Sequence, residues 1–139
     1  MIRKGDTILY RKKNDFKGVV LGEMLKFIAD KVEIKLNSGK RGKIALDSSI
    51  DSEADRIVRI LINGNISRLK KFLPVYGNII KPLYLFLDEE ILLYAKLRNL
   101  KFTKEKSKKD KIEFFEDEFE KKHPEVKRAI VNGVLELYN

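Results

Sequence analysis

Apolar and charged residues alternate over much of the first fifty positions, which predicts short strands. Residues 32–36 read Val-Glu-Ile-Lys-Leu, as in a strand with one buried face. Asn37-Ser38-Gly39-Lys40 then has the composition of a hairpin turn. Further short apolar runs bounded by turn residues lie at positions 6–11, 17–23 and 42–46. Strands this short at this spacing predict a small, strongly bent antiparallel barrel over residues 1–50.

The same residues allow a second arrangement, in which 6–11 is a strand and 16–30 is a helix. Gly18 and Gly22 would then both lie inside the helix, at a cost of roughly 1 kcal/mol each relative to alanine. We therefore favour the barrel. Its turn glycines and alternation resemble those of SH3-like and KOW-type barrels.

From residue 51 the apolar spacing becomes helical. A first helix begins near Ser52, with Ser49 or Asp51 as its N-cap, and Asn63-Gly64-Asn65 ends it. Further helices are predicted over residues 66–72, 88–99, 112–122 and beyond Pro124, with short strands at 79–80 and 83–87. The expected fold class is α+β: a barrel domain at 1–50, then a mainly helical domain with one or two short strands at 51–139.

The helix that follows Asp88 carries apolar residues on more than one side. Leu93, Tyr94 and Leu97 share one face, and Ile91 and Ala95 widen the apolar surface beyond a single stripe. We expect this helix to be covered on more than one side.

The charge of the chain changes this picture, because it suggests a partner. The 139 residues carry a net charge of +9, and the first fifty hold 12 Lys and Arg against 6 Asp and Glu. Such an excess favours a nucleic-acid partner, since cationic side chains release counterions from phosphates. The candidate RNA-binding residues are Arg11, Lys12, Lys13, Lys17, Lys40, Arg41 and Lys43 in the barrel, and Arg68, Lys70 and Lys71 in the short helix.

The absence of cysteine and the single histidine exclude much chemistry. The sequence has no cysteine and one histidine, His123, so disulfides, thiol nucleophiles and the usual zinc sites are excluded. We predict no catalytic residues, no metal and no cofactor. No apolar run approaches the roughly 20 residues that span a bilayer, and no signal-peptide pattern is present, so we expect a cytoplasmic protein without a membrane partner.

One stretch resembles a known family. Ile80-Lys81-Pro82-Leu83, then Glu90 and Tyr94-Ala95, is similar to the tRNA thiolation enzymes of the PP-loop ATPase superfamily, the 2-thiouridine and 2-thiocytidine synthetases. Residues 43–55 resemble the second signature of that family. The matching motif residues are Asp51, Glu53, Lys81, Pro82, Glu90 and Tyr94. The resemblance covers residues 43–138 and implies a degenerate C-terminal half of a thiolase.

The resemblance implies tRNA as partner but does not bring the family's chemistry. The glycine-rich loop that cradles ATP is missing, as is the cysteine that the family carries within the segment matching 103–111. We therefore expect a non-catalytic tRNA-binding or accessory protein, with a catalytic thiolase subunit as a further partner. One alternative is an ATP-dependent tRNA-modifying enzyme completed by a partner chain, in which Asp51 and Glu53 survive as site residues. A second is a protein-interaction module built on the barrel.

Overall fold

The structure, a computed structural model, describes residues 2–104 and 111–139 and contains a five-stranded, mostly parallel sheet flanked by helices. The strands are β1 Thr7–Tyr10, β2 Lys35–Leu36, β3 Lys43–Ala45, β4 Val75–Tyr76 and β5 Ile79–Ile80. The α-helices are α1 Phe16–Val32, α2 Ile50–Ile62, α3 Asp88–Leu97, α4 Lys111–Lys122 and α5 Val126–Leu137, and a 3₁₀ helix spans Ile66–Phe72.

The sheet has the order β2-β1-β3-β5-β4, and only β4 runs antiparallel to its neighbour. Ile8 of β1 is in register with Leu36 of β2 on one side and with Lys43 of β3 on the other. β3 pairs with β5, and β4 and β5 form a hairpin in which Gly77 has a φ of +58°. All four parallel strands therefore present their carboxyl ends at one edge.

The predicted antiparallel SH3-like barrel over residues 1–50 is wrong. β1, β2 and β3 are mutually parallel, and the run at 17–23 that we read as a strand lies inside α1. Asp15 caps this helix by accepting a hydrogen bond from the Gly18 N–H. Burial of Val20, Leu21 and Leu25 against the sheet outweighs the cost of two glycines in the helix. The competing strand–loop–helix arrangement is the observed one.

The predicted hairpin at 37–40 is also wrong, because residues 37–42 join two strands that lie on opposite sides of β1. The Asn37 N–H donates to the Ile8 carbonyl, and its side-chain oxygen accepts from the Tyr10 N–H. Of the alternating run at 32–36, only Lys35 and Leu36 form a strand, since α1 continues to Val32 and ends at Glu33 with a φ of +56°. Parallel strands need such crossover connections, and the alternation of apolar and polar residues within a strand gives no information about them.

Two hydrophobic clusters hold the elements together. The first joins the sheet to α1 and α3, and the second joins α2 to α5 and the 3₁₀ helix. Buried members of the first are Ile8, Val20, Leu21, Leu25, Ile34, Ala45, Ile80, Leu83, Ile91 and Ala95. Buried members of the second are Ile50, Ala54, Ile57, Leu69, Tyr84, Val131 and Val134.

The second part of the chain follows the predicted helices more closely. α2 begins after Ser49, one of the two N-cap residues that the sequence offered, and α3, α4 and α5 lie where helices were expected. Residues 83–87 form turns rather than the predicted strand. The predicted covering of α3 on more than one side is wrong, since Leu93 is 57 % exposed and Leu97 is 73 % exposed.

Some predictions fall outside what the structure describes. Most of the charged run at 103–111 lies outside the described residues. Strands from both sides of the predicted boundary between residues 50 and 51 join one sheet, and the division into two domains stays a prediction. Among the described helices, none combines the length and the apolar character that crossing a bilayer requires.

Candidate functional site: a crevice at the carboxyl ends of β1 and β3

The strand order places a crevice at the carboxyl ends of β1 and β3. The chain passes from β1 to β2 on one side and then returns to β3 on the other, so the connections diverge between β1 and β3. In open α/β sheets, ligands bind outside the carboxyl ends of the strands at such a switch point. Two loops border the crevice, 11–15 before α1 and 46–49 before α2.

The first loop folds tightly onto the start of α1. The Asp15 carboxylate accepts a hydrogen bond of 2.9 Å from the Gly18 N–H. A Cβ at Gly18 would lie 2.5 Å from the Lys13 Cβ and 2.7 Å from an Asp15 carboxylate oxygen. Backbone N–H groups at a helix N-terminus are the groups that bind phosphate in comparable folds. Here a carboxylate of the chain itself already takes the Gly18 N–H.

Two lysines connect the two loops. The Lys13 Nζ lies 3.0 Å from an Asp47 carboxylate oxygen. The Lys17 Nζ donates to the Ser52 hydroxyl at 2.9 Å and lies 3.6 Å from the Asp88 carboxylate. These ion pairs neutralise both lysines inside the crevice.

The segment after α3 covers the first loop. The Thr103 N–H donates to the Asn14 carbonyl at 2.8 Å, and the ring of Phe102 packs edge-on against Phe16 with centroids 6.3 Å apart. This cover places an aromatic pair beside the start of α1 and fixes the loop from its outer side.

A buried ion pair lies behind the second loop. Glu53 is fully buried, and its carboxylate lies 3.1 Å from the Lys81 Nζ and forms a hydrogen bond with the Ser48 hydroxyl. Lys81 also donates to the Lys71 carbonyl at 2.8 Å. Burial lowers the pKa of Lys81, and Glu53 opposes that change. Burial and the same carboxylate raise the pKa of Tyr84. These two motif residues therefore serve to hold β5 against α2.

Two of the other motif residues, Asp51 and Glu90, connect the N-terminal ends of helices. Asp51 accepts from the Asp88 N–H at 2.7 Å and from the Lys127 Nζ at 2.6 Å. Glu90 accepts from the Leu87 N–H and forms an ion pair with Arg128 at 2.7 Å. Pro82 lies half-buried in the turn after β5, and Tyr94 is 41 % exposed on α3.

An acidic cleft of about 890 Å³ adjoins the crevice, and the sequence reading missed it. Burial and the charge of Asp55 raise the pKa of Glu116 to about 7, and one Glu116 oxygen has no hydrogen-bond partner among the described residues. Burial lowers the pKa of Lys127, but hydrogen bonds to Asp51 and Glu120 outweigh it and raise that pKa overall. In the described residues, no three acidic or histidine side chains are arranged to hold a metal ion.

The ten candidate RNA-binding residues fall into two groups. Lys13, Lys17 and Lys43 form ion pairs with Asp47, Asp88 and Asp6. The remaining seven are exposed and form no ion pair within the described parts of the chain, although Lys70 lies over the Tyr138 ring. Those seven are Arg11, Lys12, Lys40, Arg41, Arg68, Lys70 and Lys71. They belong to the loop after β1, the loop before β3 and the 3₁₀ helix.

Comparison with known proteins identifies the fold. No protein-family model matches the sequence, and no curated protein matches it either. Among solved structures, the U34-tRNA thiolase NcsA from Methanococcus maripaludis, solved with its [4Fe-4S] cluster, matches with a TM-score of 0.76 at 15 % identity. The match covers 97 % of this chain and 72 % of that one. The protein thus has a fold like that of a PP-loop tRNA thiolase, and the likeness includes the first fifty residues.

The cluster named in that structure does not fit the residues of this chain. Iron–sulfur clusters are held by cysteine thiolates, with histidine replacing some of them in a few types. This sequence has no cysteine and one histidine. His123 is exposed, and its ring packs at a tilt of 40° against Phe119 at the end of α4.

Proposed function

We propose that this protein binds tRNA without catalysing a reaction itself, as an accessory component of tRNA thiolation. Its fold is like that of a tRNA thiolase, and the thiolase match supports tRNA as the partner. In this proposal the protein acts in the cytoplasm beside a catalytic thiolase subunit that supplies the chemistry.

One observation carries the non-catalytic part of the proposal: the Asp15 carboxylate caps α1 at the Gly18 N–H. A triphosphate at this helix N-terminus would meet a negative charge where phosphate-binding loops offer free backbone N–H groups. The loop from Arg11 to Phe16 also contains no glycine that would let a phosphate approach its backbone closely. Sulfur transfer through a cysteine is excluded, because the sequence has none.

The proposed RNA contacts are the seven candidate cations that are exposed and form no ion pair with any described residue. Arg11 and Lys12 follow β1 at the carboxyl edge of the sheet, and Lys40 and Arg41 precede β3 at its amino edge. Arg68 and Lys71 lie on the 3₁₀ helix beside the β4–β5 hairpin. Lys13, Lys17 and Lys43 become secondary candidates, since carboxylates already neutralise them.

The experiment measures binding of a fluorescently labelled tRNA by anisotropy. Replacing Arg11 and Lys12 with alanine removes two charges from the proposed surface. We expect affinity to fall by about tenfold at low salt. The matched control replaces Lys26 and Lys31, which are exposed on α1, and removes the same net charge. A control that weakens binding as much as the test pair would contradict the proposed surface.

A second candidate, an ATP-dependent tRNA-modifying enzyme completed by a partner chain, is favoured by one observation. The side chains of Lys13, Lys17 and Ser52 converge on the crevice at the switch point, where they could meet phosphate if Asp47 and Asp88 moved aside. The remaining candidate, a protein-interaction module, depended on the barrel and loses its basis.

Calorimetric titration with magnesium and ATP, with and without tRNA, separates the first two candidates. We expect no heat of binding in either titration. Saturable binding that disappears in Lys17→Ala would favour the enzyme and overturn the non-catalytic proposal.

A further inference from the structure

The helix α3 has one buried side and one apolar exposed side. Ile91 and Ala95 are 2 % and 0 % exposed and face α1 and the sheet. Leu93 and Leu97, one helical turn apart on the other side, are 57 % and 73 % exposed. Two leucines in register on a solvent-facing side are unusual for a helix that packs on one core only.

The exposed apolar surface extends beyond these two leucines. Leu85 and Phe86, in the turn before α3, are 60 % and 42 % exposed, and Tyr94 is 41 % exposed. Exposed apolar residues that are grouped on one element mark interaction sites more often than scattered single residues do. We call Leu85, Phe86, Leu93, Tyr94 and Leu97 the α3 patch.

The charges around the α3 patch indicate what covers it. Glu89 lies at the start of α3 and Lys96 at its end, seven residues apart, so they lie within about 20° of one another around the helix. Both are exposed, and neither has a partner in the described ranges 2–104 and 111–139. The exposed side of α3 therefore presents an acid near its start, Leu93 in the middle and a base near its end, within an arc of about 60°.

The exposed side of α3 is therefore complementary to the same side of a second, antiparallel copy, in which acid and base exchange places. If two copies of α3 pair antiparallel with Leu93 near the axis, Glu89 of each lies opposite Lys96 of the other. The ends of the two helix dipoles then also meet with opposite sign. A two-fold axis requires such self-complementarity of an interface.

The neighbouring charges leave this contact undisturbed. Arg128 is held by Glu90 at 2.7 Å, and Arg98 is held by Glu23 at 2.9 Å. These intramolecular pairs neutralise the rim of the α3 patch, so two copies approach without repulsion between unpaired arginines.

We propose that the protein forms a two-fold symmetric dimer through the α3 patch, with the two α3 helices antiparallel. Leu93 forms the apolar centre at the axis, Leu97 adds apolar surface at each end of the contact, and two pairs between Glu89 and Lys96 set the direction. α3 is only about 15 Å long, so the contact is smaller than a standard interface and the dimer is weak.

The test is sedimentation velocity over a protein concentration series with a charge-swap cycle. We expect concentration-dependent dimerisation of the unaltered chain. Glu89→Lys alone and Lys96→Glu alone each place like charges together and weaken the dimer by about tenfold. The double variant Glu89→Lys/Lys96→Glu restores it, because each pair is reversed. Glu136→Lys, on the exposed side of α5, is the control and leaves dimerisation unchanged.

A second pair of variants tests the apolar centre. Leu93→Ser abolishes dimerisation over the same range, whereas Leu137→Ser, at a leucine of α5 that is also more than half exposed, does not. Circular dichroism confirms that each variant is folded, and both leucines are exposed enough to be replaced without loss of the core. A chain that stays monomeric throughout, or a double charge variant that remains as weak as the single ones, overturns the proposal.

Discussion

Glu53 and Lys81, 28 positions apart in the sequence, form an ion pair that is closed to solvent, with 3.1 Å between carboxylate oxygen and Nζ. The pair joins α2 to the residue directly after β5. The Ser48 hydroxyl donates to the Glu53 carboxylate, Lys81 also donates to the Lys71 carbonyl, and the rings of Phe72 and Tyr84 flank the ammonium group. Resemblance to the thiolase motifs marked both residues, and the structure gives them a role in packing.

Removing one member of this pair should destabilise the fold strongly. Glu53→Gln leaves the Lys81 ammonium without its counter-charge in a buried position, and we expect a loss of about 3–5 kcal/mol in the free energy of unfolding. Urea denaturation followed by circular dichroism measures it. Lys4→Met, which breaks the exposed pair with Glu33, is the control and should leave the midpoint nearly unchanged. A similar small effect for both variants would show that the buried pair contributes little.

The two glycines of α1 should respond in opposite ways to alanine. A Cβ at Gly18 would lie 2.5 Å from the Lys13 Cβ, so Gly18→Ala should lower stability by about 1–3 kcal/mol. A Cβ at Gly22 meets the Tyr10 ring at 3.7 Å, an ordinary contact. Gly22→Ala should therefore raise stability by about 0.5–1 kcal/mol. Thermal unfolding of both variants distinguishes them, and a stabilising Gly18→Ala would mean that the loop is not packed on the helix.

Stability should depend on pH through Glu116. Burial, followed by the charge of Asp55, raises its pKa to about 7 in the folded protein, above the ordinary value of 4.5. Because the folded state favours the protonated form, this contribution is complete below pH 4.5 and is lost as the pH rises through 7. Partial solvent screening reduces the loss to about 1–2 kcal/mol.

Glu116→Gln isolates this contribution. Urea midpoints of the unaltered chain and the variant, measured at pH 5 and pH 8, should show a smaller decline with pH for the variant. Equal declines in both proteins would mean that Glu116 titrates normally in the folded state.

The sequence predicted the amphipathic helices better than the sheet. α2 and α5 each bury one face, so their 3.6-residue spacing is visible, and the sequence narrowed the N-cap of α2 to Ser49 or Asp51, of which Ser49 is the cap. α1 has glycines at two interior positions and apolar residues around much of its surface, which hid its period. β2 and β3 contain two and three residues, too few for alternation to specify whether the pairing is parallel or antiparallel.

The candidate site was predictable in composition and not in arrangement. The basic residues and the acidic motif were visible in the sequence. Which lysines are neutralised depends on tertiary contacts such as Lys13 with Asp47, 34 positions away. Asp15 is a residue type common at helix N-caps. Its role as a cap was not predicted, because the start of the helix that it caps was predicted to be a strand.

The salt dependence of tRNA binding tests the central claim most directly. Exposed cations that contact several phosphates should give a steep negative slope of the logarithm of the association constant against the logarithm of salt concentration, about −0.7 to −0.9 for each phosphate. We expect a slope of about −4 or steeper, without any requirement for ATP. A slope near zero, or no binding at about 50 mM salt, would contradict the claim that this protein binds tRNA through its basic surface.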